Sequence, residues 1–130
     1  MLTLRYPELF GTAMSFSGYY HAAIQSNQTV NAARPFDGDQ AAIANHSPDI
    51  LARQIAPSIR GRLFFELEAD PTNRFYGVQY QQFSSALEAA GIPVALFPTP
   101  LGHGWQAPRG YLPAVLTTLA AHEVALGVFG

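Results

Sequence analysis

A chain of 130 residues, 48% of them hydrophobic, has the size of one domain with a modest core and is too short for two. Charged residues make up only 12%, and the 7 basic ones, all arginine, are scattered against 9 acidic ones, so the basic field that nucleic acid or anionic lipid requires is excluded. With no cysteine, thiol nucleophiles, thiolate zinc and disulfides are excluded as well, while the redox compartment stays open.

In chain order, the first ten residues carry Leu2, Tyr6 and Leu9 near helical spacing until Pro7 ends the pattern. They read as the last turns of a helix whose start lies elsewhere. No basic stretch followed by an apolar one marks a leader, and no window is apolar enough to span a membrane, so a soluble chain is expected, and any export signal of a parent would lie upstream. Thr12–Phe16 is an apolar run closed by Ser17-Gly18 and is expected to be a strand. Residues 19–46, rich in Asn, Gln, Ala and Asp, show no sustained period and are expected to make a long surface excursion.

A helix is expected over 48–55 after Ser47 as its cap, then a strand over 62–67. A second helix is expected over 76–90, with Tyr80, Phe83, Leu87 and Ala90 on one face and Gly91 as its stop. A third strand follows over 93–97. The last helix starts at Pro108 and repeats apolar residues at Leu112, Val115, Leu116, Leu119 and Ala120. This alternation predicts an α/β domain over 1–130, with about three parallel strands and right-handed crossovers.

Ligands of open α/β sheets gather beyond the carboxyl ends of the strands. Those positions hold Ser17-Gly18, then Glu68-Ala-Asp70, then Gly102-His103-Gly104-Trp105. One helix and one strand separate Asp70 from His103, which places both on neighbouring strand ends where a carboxylate can orient an imidazole. Asp70 also fits a plain turn cap before Pro71 and Asn73, and Glu68 is the rival acid. Ser17 fits a turn with Gly18; Trp105 and Tyr111 fit either a pocket wall or packing anchors. Asp37-Gly-Asp39 lacks the further ligands of a calcium loop, and the 4 histidines show no paired metal spacing. Neither a metal nor another cofactor is expected.

Taken together, Leu4-Arg-Tyr-Pro-Glu-Leu-Phe-Gly11, Met14-Ser-Phe-Ser-Gly18, Leu87-Glu-Ala-Ala-Gly91, Pro100-Leu-Gly-His-Gly-Trp105 and Leu112-Pro113 resemble the esterase branch of the α/β-hydrolases that includes esterase D and the mycolyltransferases. The resemblance covers nearly the whole chain except 19–46. It implies a partial α/β-hydrolase fold, an ester substrate, His103 as general base and Asp70 as the acid a few residues past its strand. It further implies that the nucleophile elbow, Gly-x-Ser-x-Gly, and the oxyanion donors lie before Met1, since no serine in this sequence has glycine two residues to each side. The expected protein is therefore the acid-and-histidine half of a serine esterase or acyltransferase, inert by itself. The other reading is a non-catalytic remnant that binds a ligand or self-associates through the strand edge left free at Thr12–Phe16.

Overall fold

The computed structural model describes residues 2–22, 36–102 and 104–128. Within them, β1 (Thr12–Phe16), β2 (Phe64–Ala69) and β3 (Val94–Pro98) form a parallel sheet in the order β1-β2-β3. Thr12 pairs with Phe64 and Phe16 with Glu68, while Phe65 pairs with Val94 and Ala69 with Pro98. The connections carry α2 (Gln40–Asn45), α3 (Pro48–Gln54) and α4 (Pro57–Arg60) between β1 and β2, and α5 (Tyr76–Ala89) between β2 and β3. The chain opens with α1 (Leu2–Arg5) and ends with α6 (Gln106–Ala125). The expected α/β layering with a parallel sheet is what the chain adopts.

β2 is the middle strand, and all six of its residues are buried. Period-two alternation sends Phe65, Leu67 and Ala69 to one face, where they meet Tyr80, Phe83 and Leu87 of α5 in a core extended by Leu4, Ala52, Ile55 and Ile92. Phe83 sits edge-on to Phe65 at 5.6 Å between ring centres and stacks on Tyr20 at 4.5 Å. The opposite face carries Phe64, Glu66 and Glu68 towards α6. There the Phe64 ring stacks on His122 at 4.1 Å, and Thr12 donates a 2.9 Å hydrogen bond to Glu123.

Several boundaries differ from the sequence reading for identifiable reasons. β2 begins two residues later than expected because Arg62 and Leu63 close turns onto the carbonyls of Ile59 and Arg60, and the ladder starts with the Phe64 N–H on the Gly11 carbonyl. α3 stops at Gln54, and Pro57 starts the separate turn of α4. α6 begins at Gln106, ahead of Pro108; a proline in the first turn forfeits only an N–H that has no helical partner there. Gly91 ends α5 as expected: its φ is +69°, and the Ile92 N–H reaches back to the Leu87 carbonyl.

Of the excursion, residues 23–35 lie outside the described residues. Its two described ends are tied down at particular residues, while 37–41 are exposed. Tyr20, Ala22 and Ile43 are buried, and Asp39 caps α2 by accepting from the N–H groups of Ala41 and Ala42. The Gln79 side-chain oxygen accepts from the N–H groups of Tyr20 and His21, at 2.6 and 2.9 Å. Ser47 stands at the cap position of α3 but makes no cap bond; its hydroxyl donates to the Ile43 carbonyl and accepts from the Ala22 N–H.

Tyr20 folds back so that its hydroxyl donates to Ser15 Oγ at 2.7 Å, and burial pushes the phenol up to about 12, keeping it a donor. Only glycine fits beneath it: a Cβ on Gly18 would lie 2.5 Å from Ser15 Oγ and 2.7 Å from the Tyr20 ring.

Truncating Phe83→Ala removes the ring that joins Tyr20 to Phe65 and should cost about 3–5 kcal/mol in urea unfolding. Gly18→Ala should cost about 1–3 kcal/mol in the same urea unfolding, because the new Cβ must push aside Ser15 Oγ or the Tyr20 ring.

Candidate functional site

Because the three strands run parallel, the residues that follow them emerge along one edge of the sheet. Ser17 follows β1, Asp70 follows β2, and the segment from Thr99 to α6 follows β3. The Thr99 N–H donates to the Ala69 carbonyl at 3.0 Å and the Ser17 N–H to the Glu68 carbonyl at 2.7 Å, so all three exits are stitched together. His103 lies outside the described residues. Its neighbours are described: Gly102, with φ +67°, and Gly104, at the foot of α6.

Asp70 occupies a turn. Its Oδ1 accepts from both the N–H and the hydroxyl of Thr72, at 2.9 and 2.7 Å, and its carbonyl accepts from Asn73. Asn73 in turn caps the start of α5 through the N–H groups of Phe75 and Tyr76. The Thr72 hydrogen bonds hold the Asp70 carboxyl below the usual carboxylate range, so it is ionised. Among the described residues no imidazole hydrogen-bonds to it.

Glu68, the rival acid, is in a different state. It is only 1% exposed, and neither carboxylate oxygen finds a hydrogen-bond partner among the described residues. Burial pushes its carboxyl up, the Asp70 charge adds in the same direction, and Ser17 offsets part of the rise. Glu66, two residues earlier on the same face, is equally buried and unpartnered, and burial alone lifts it to about 7.

Between the end of β1 and the start of α6 opens a cleft of about 690 Å³, lined by Phe16 and Ser17 from one side and by Trp105, Pro108, Arg109 and Leu112 from the other. The volume falls in the range of small-molecule sites. Trp105 is 84% exposed at this cleft and is not a packing anchor. Tyr111 is half-buried, and its hydroxyl donates to the Pro98 carbonyl at 3.2 Å. α6 presents only part of its apolar stripe to the sheet. Val115 is buried, whereas Leu112 and Leu116 are 42% and 47% exposed.

Two features escaped the sequence. Ser17 is 8% exposed and has φ +48°, a left-handed backbone rare outside glycine and kept only where surrounding contacts over-determine it. Those contacts are its own N–H on Glu68 of the neighbouring strand and the local Tyr20 latch onto Ser15 over Gly18, neither of them visible as a motif. The other feature is His21, whose Nδ1 donates to the Asp49 carboxylate at 2.8 and 3.0 Å. The pair joins the excursion to the first turn of α3, and 28 residues of sequence separate the partners. Among the described residues no group of three or more His, Asp or Glu side chains is arranged to hold a metal, and no helix is long and apolar enough to cross a membrane.

No family model, no curated protein and no solved structure matches this chain.

The buried carboxylates set a pH dependence with a definite sign. Burial places the folded Glu66 value above the unfolded one, so the folded chain binds this proton more tightly. Its contribution to stability is therefore full below about 4.5 and is lost as pH rises through about 7. Melting temperature should fall between pH ~5 and pH ~8. Glu66→Leu should reduce that slope and raise stability at the upper end by about 1–3 kcal/mol, measured by thermal unfolding at the two pH values.

Proposed function

We propose that this chain is the acid-and-histidine half of a serine carboxylic-ester hydrolase or acyltransferase, the nucleophile being carried on a separate segment. The observation that bears most weight is the ionised Asp70, one residue past the middle strand, beside the exit of β3 that leads through Gly102 to Gly104 and α6. A carboxylate held ionised at a strand end is what a catalytic imidazole needs for orientation and for stabilising its charged form. The resemblance of the Pro100-Leu-Gly-His-Gly-Trp105 run to esterase sequences supports His103 as that imidazole.

In this reading His103 removes the proton from a serine hydroxyl as the oxygen attacks the ester carbonyl. It then gives that proton to the departing alcohol, leaving an acyl-enzyme. A water, or another alcohol in an acyltransferase, takes the place of the first alcohol; its oxygen bonds to the acyl carbon as His103 accepts its proton, and His103 returns that proton to the serine oxygen as the acyl group leaves. Asp70 keeps one carboxylate oxygen on Thr72, so its turn is fixed while Oδ2 is the oxygen available to the imidazole. Glu68, buried and biased towards its neutral form, suits this role less.

A second reading rests on the strand edge. β1 is one of the two outer strands and carries the exposed Met14, with the half-exposed Leu112 across the cleft from its end, a surface suited to a non-catalytic interaction module that pairs edge to edge.

The two readings separate in one experiment, hydrolysis of p-nitrophenyl esters by the chain with and without a co-expressed segment bearing a Gly-x-Ser-x-Gly elbow. The chain alone should stay at the buffer rate. The complemented pair should turn over, and His103→Ala in it should lose about six orders of magnitude of kcat and Asp70→Asn about four. Full turnover with His103 removed would overturn the hydrolase reading. A discrete oligomer that never gains activity on complementation favours the interaction module.

A further inference from the structure

The cleft beside β1 has an uneven chemistry. Its walls are the Phe16 ring, Pro108, Leu112 and the indole of Trp105, and charge enters only through Arg109. That guanidinium lies on the exposed face of α6 and has no hydrogen bond or ion pair among the described residues. Arg5 and Arg60 hold the backbone carbonyls of Asn45 and Ile55, while Arg53, Arg62 and Arg74 have no partner among the described residues either; what sets Arg109 apart is that it alone of the described arginines lines the cleft. An unspent cation at an apolar cleft complements a molecule that is apolar along its length and negative at one end.

We propose that this cleft binds an aliphatic carboxylate, with the hydrocarbon chain against Phe16, Leu112 and Trp105 and the carboxylate on Arg109. The alternatives fit less well. A neutral alkane or alcohol leaves the guanidinium unused, and a cationic amphiphile is repelled by it. A compact anion such as phosphate satisfies Arg109 but leaves the apolar walls wet. The chain gains from burial of the large exposed area of Trp105 and Leu112. The carboxylates at this end of the sheet stand off from the head group: neither Glu68 nor Asp70 lines the cleft. Binding of this kind needs no serine nucleophile, so it stands or falls separately from ester hydrolysis.

Trp105 is the only tryptophan in the sequence and reports directly on the cleft. The full chain is titrated with dodecanoate below its micellar concentration, with dodecanol and dodecyltrimethylammonium as neutral and cationic controls, while indole emission is followed. Dodecanoate should shift the emission to the blue and saturate, binding about fivefold more tightly than dodecanol, with the cationic amphiphile weakest. Arg109→Gln, at an exposed position that leaves the fold intact, should remove the preference for dodecanoate and leave dodecanol affinity unchanged. Leu112→Asp should weaken both. The proposal is overturned if the three amphiphiles bind alike, if Arg109→Gln leaves the dodecanoate affinity where it was, or if no blue shift occurs below the micellar concentration. Unchanged far-ultraviolet circular dichroism in both variants separates loss of the site from loss of the fold.

Discussion

Everything in this molecule is hung on the parallel ladder around β2. Its six residues are buried from both sides, and its neighbours emerge beside it in the same direction. The backbone bonds of that ladder continue past the strands, from Ser17 to Glu68 and from Thr99 to Ala69, and so determine where the candidate site residues can be. A parallel sheet cannot be built from hairpins; each return needs a helical crossover, and the crossovers supply the two layers that bury β2. The sheet's direction and the clustering of Ser17, Asp70 and Gly102 are thus one fact seen from two ends.

The two layers are unequal. Under α5 the face of the sheet is aromatic and aliphatic, and Phe83 meets Phe65 and Tyr20 at once. Under α6 the same strand carries two carboxylates with no partners among the described residues, and the helix leaves Leu112 and Leu116 in solvent. The first layer supplies the cohesion. The second is more loosely applied, and it is also the layer that carries the cleft, in keeping with the tendency of functional surfaces to draw on the less stable parts of a domain.

The elements were legible where periodicity was unbroken. Tyr80, Phe83 and Leu87 mark one face of a helix, and Gly91 stops it, because the helical period and the left-handed stop are local properties. The run from Arg62 to Leu67 was legible as a strand but not in its bounds, since Leu63 is as apolar as Phe64 and only the turn bonds to Ile59 and Arg60 distinguish them. Alternating glutamates would ordinarily mark a solvated face; that α6 covers them is a tertiary fact with no local signature. For the site, strand ends could be located, but not the left-handed Ser17, the placing of Arg109 beside Phe16 at the cleft or the His21–Asp49 pair, because each depends on how separate elements pack.

The excursion that leaves β1 is tied at Ala22 to Ser47 and re-enters at Asp39, the cap of α2. Each described end is therefore fixed by contacts of its own, Ala22 on Ser47 and Asp39 on the first turn of α2. The strand end and its latched tyrosine are held by Ser15 under the tyrosine hydroxyl, by Gln79 on the N–H groups of Tyr20 and His21, and by Ser47 on Ala22. The exit of β1 is thus set from α5 and from the start of α3, so a shift in the packing of either helix passes directly to the strand end that borders the cleft.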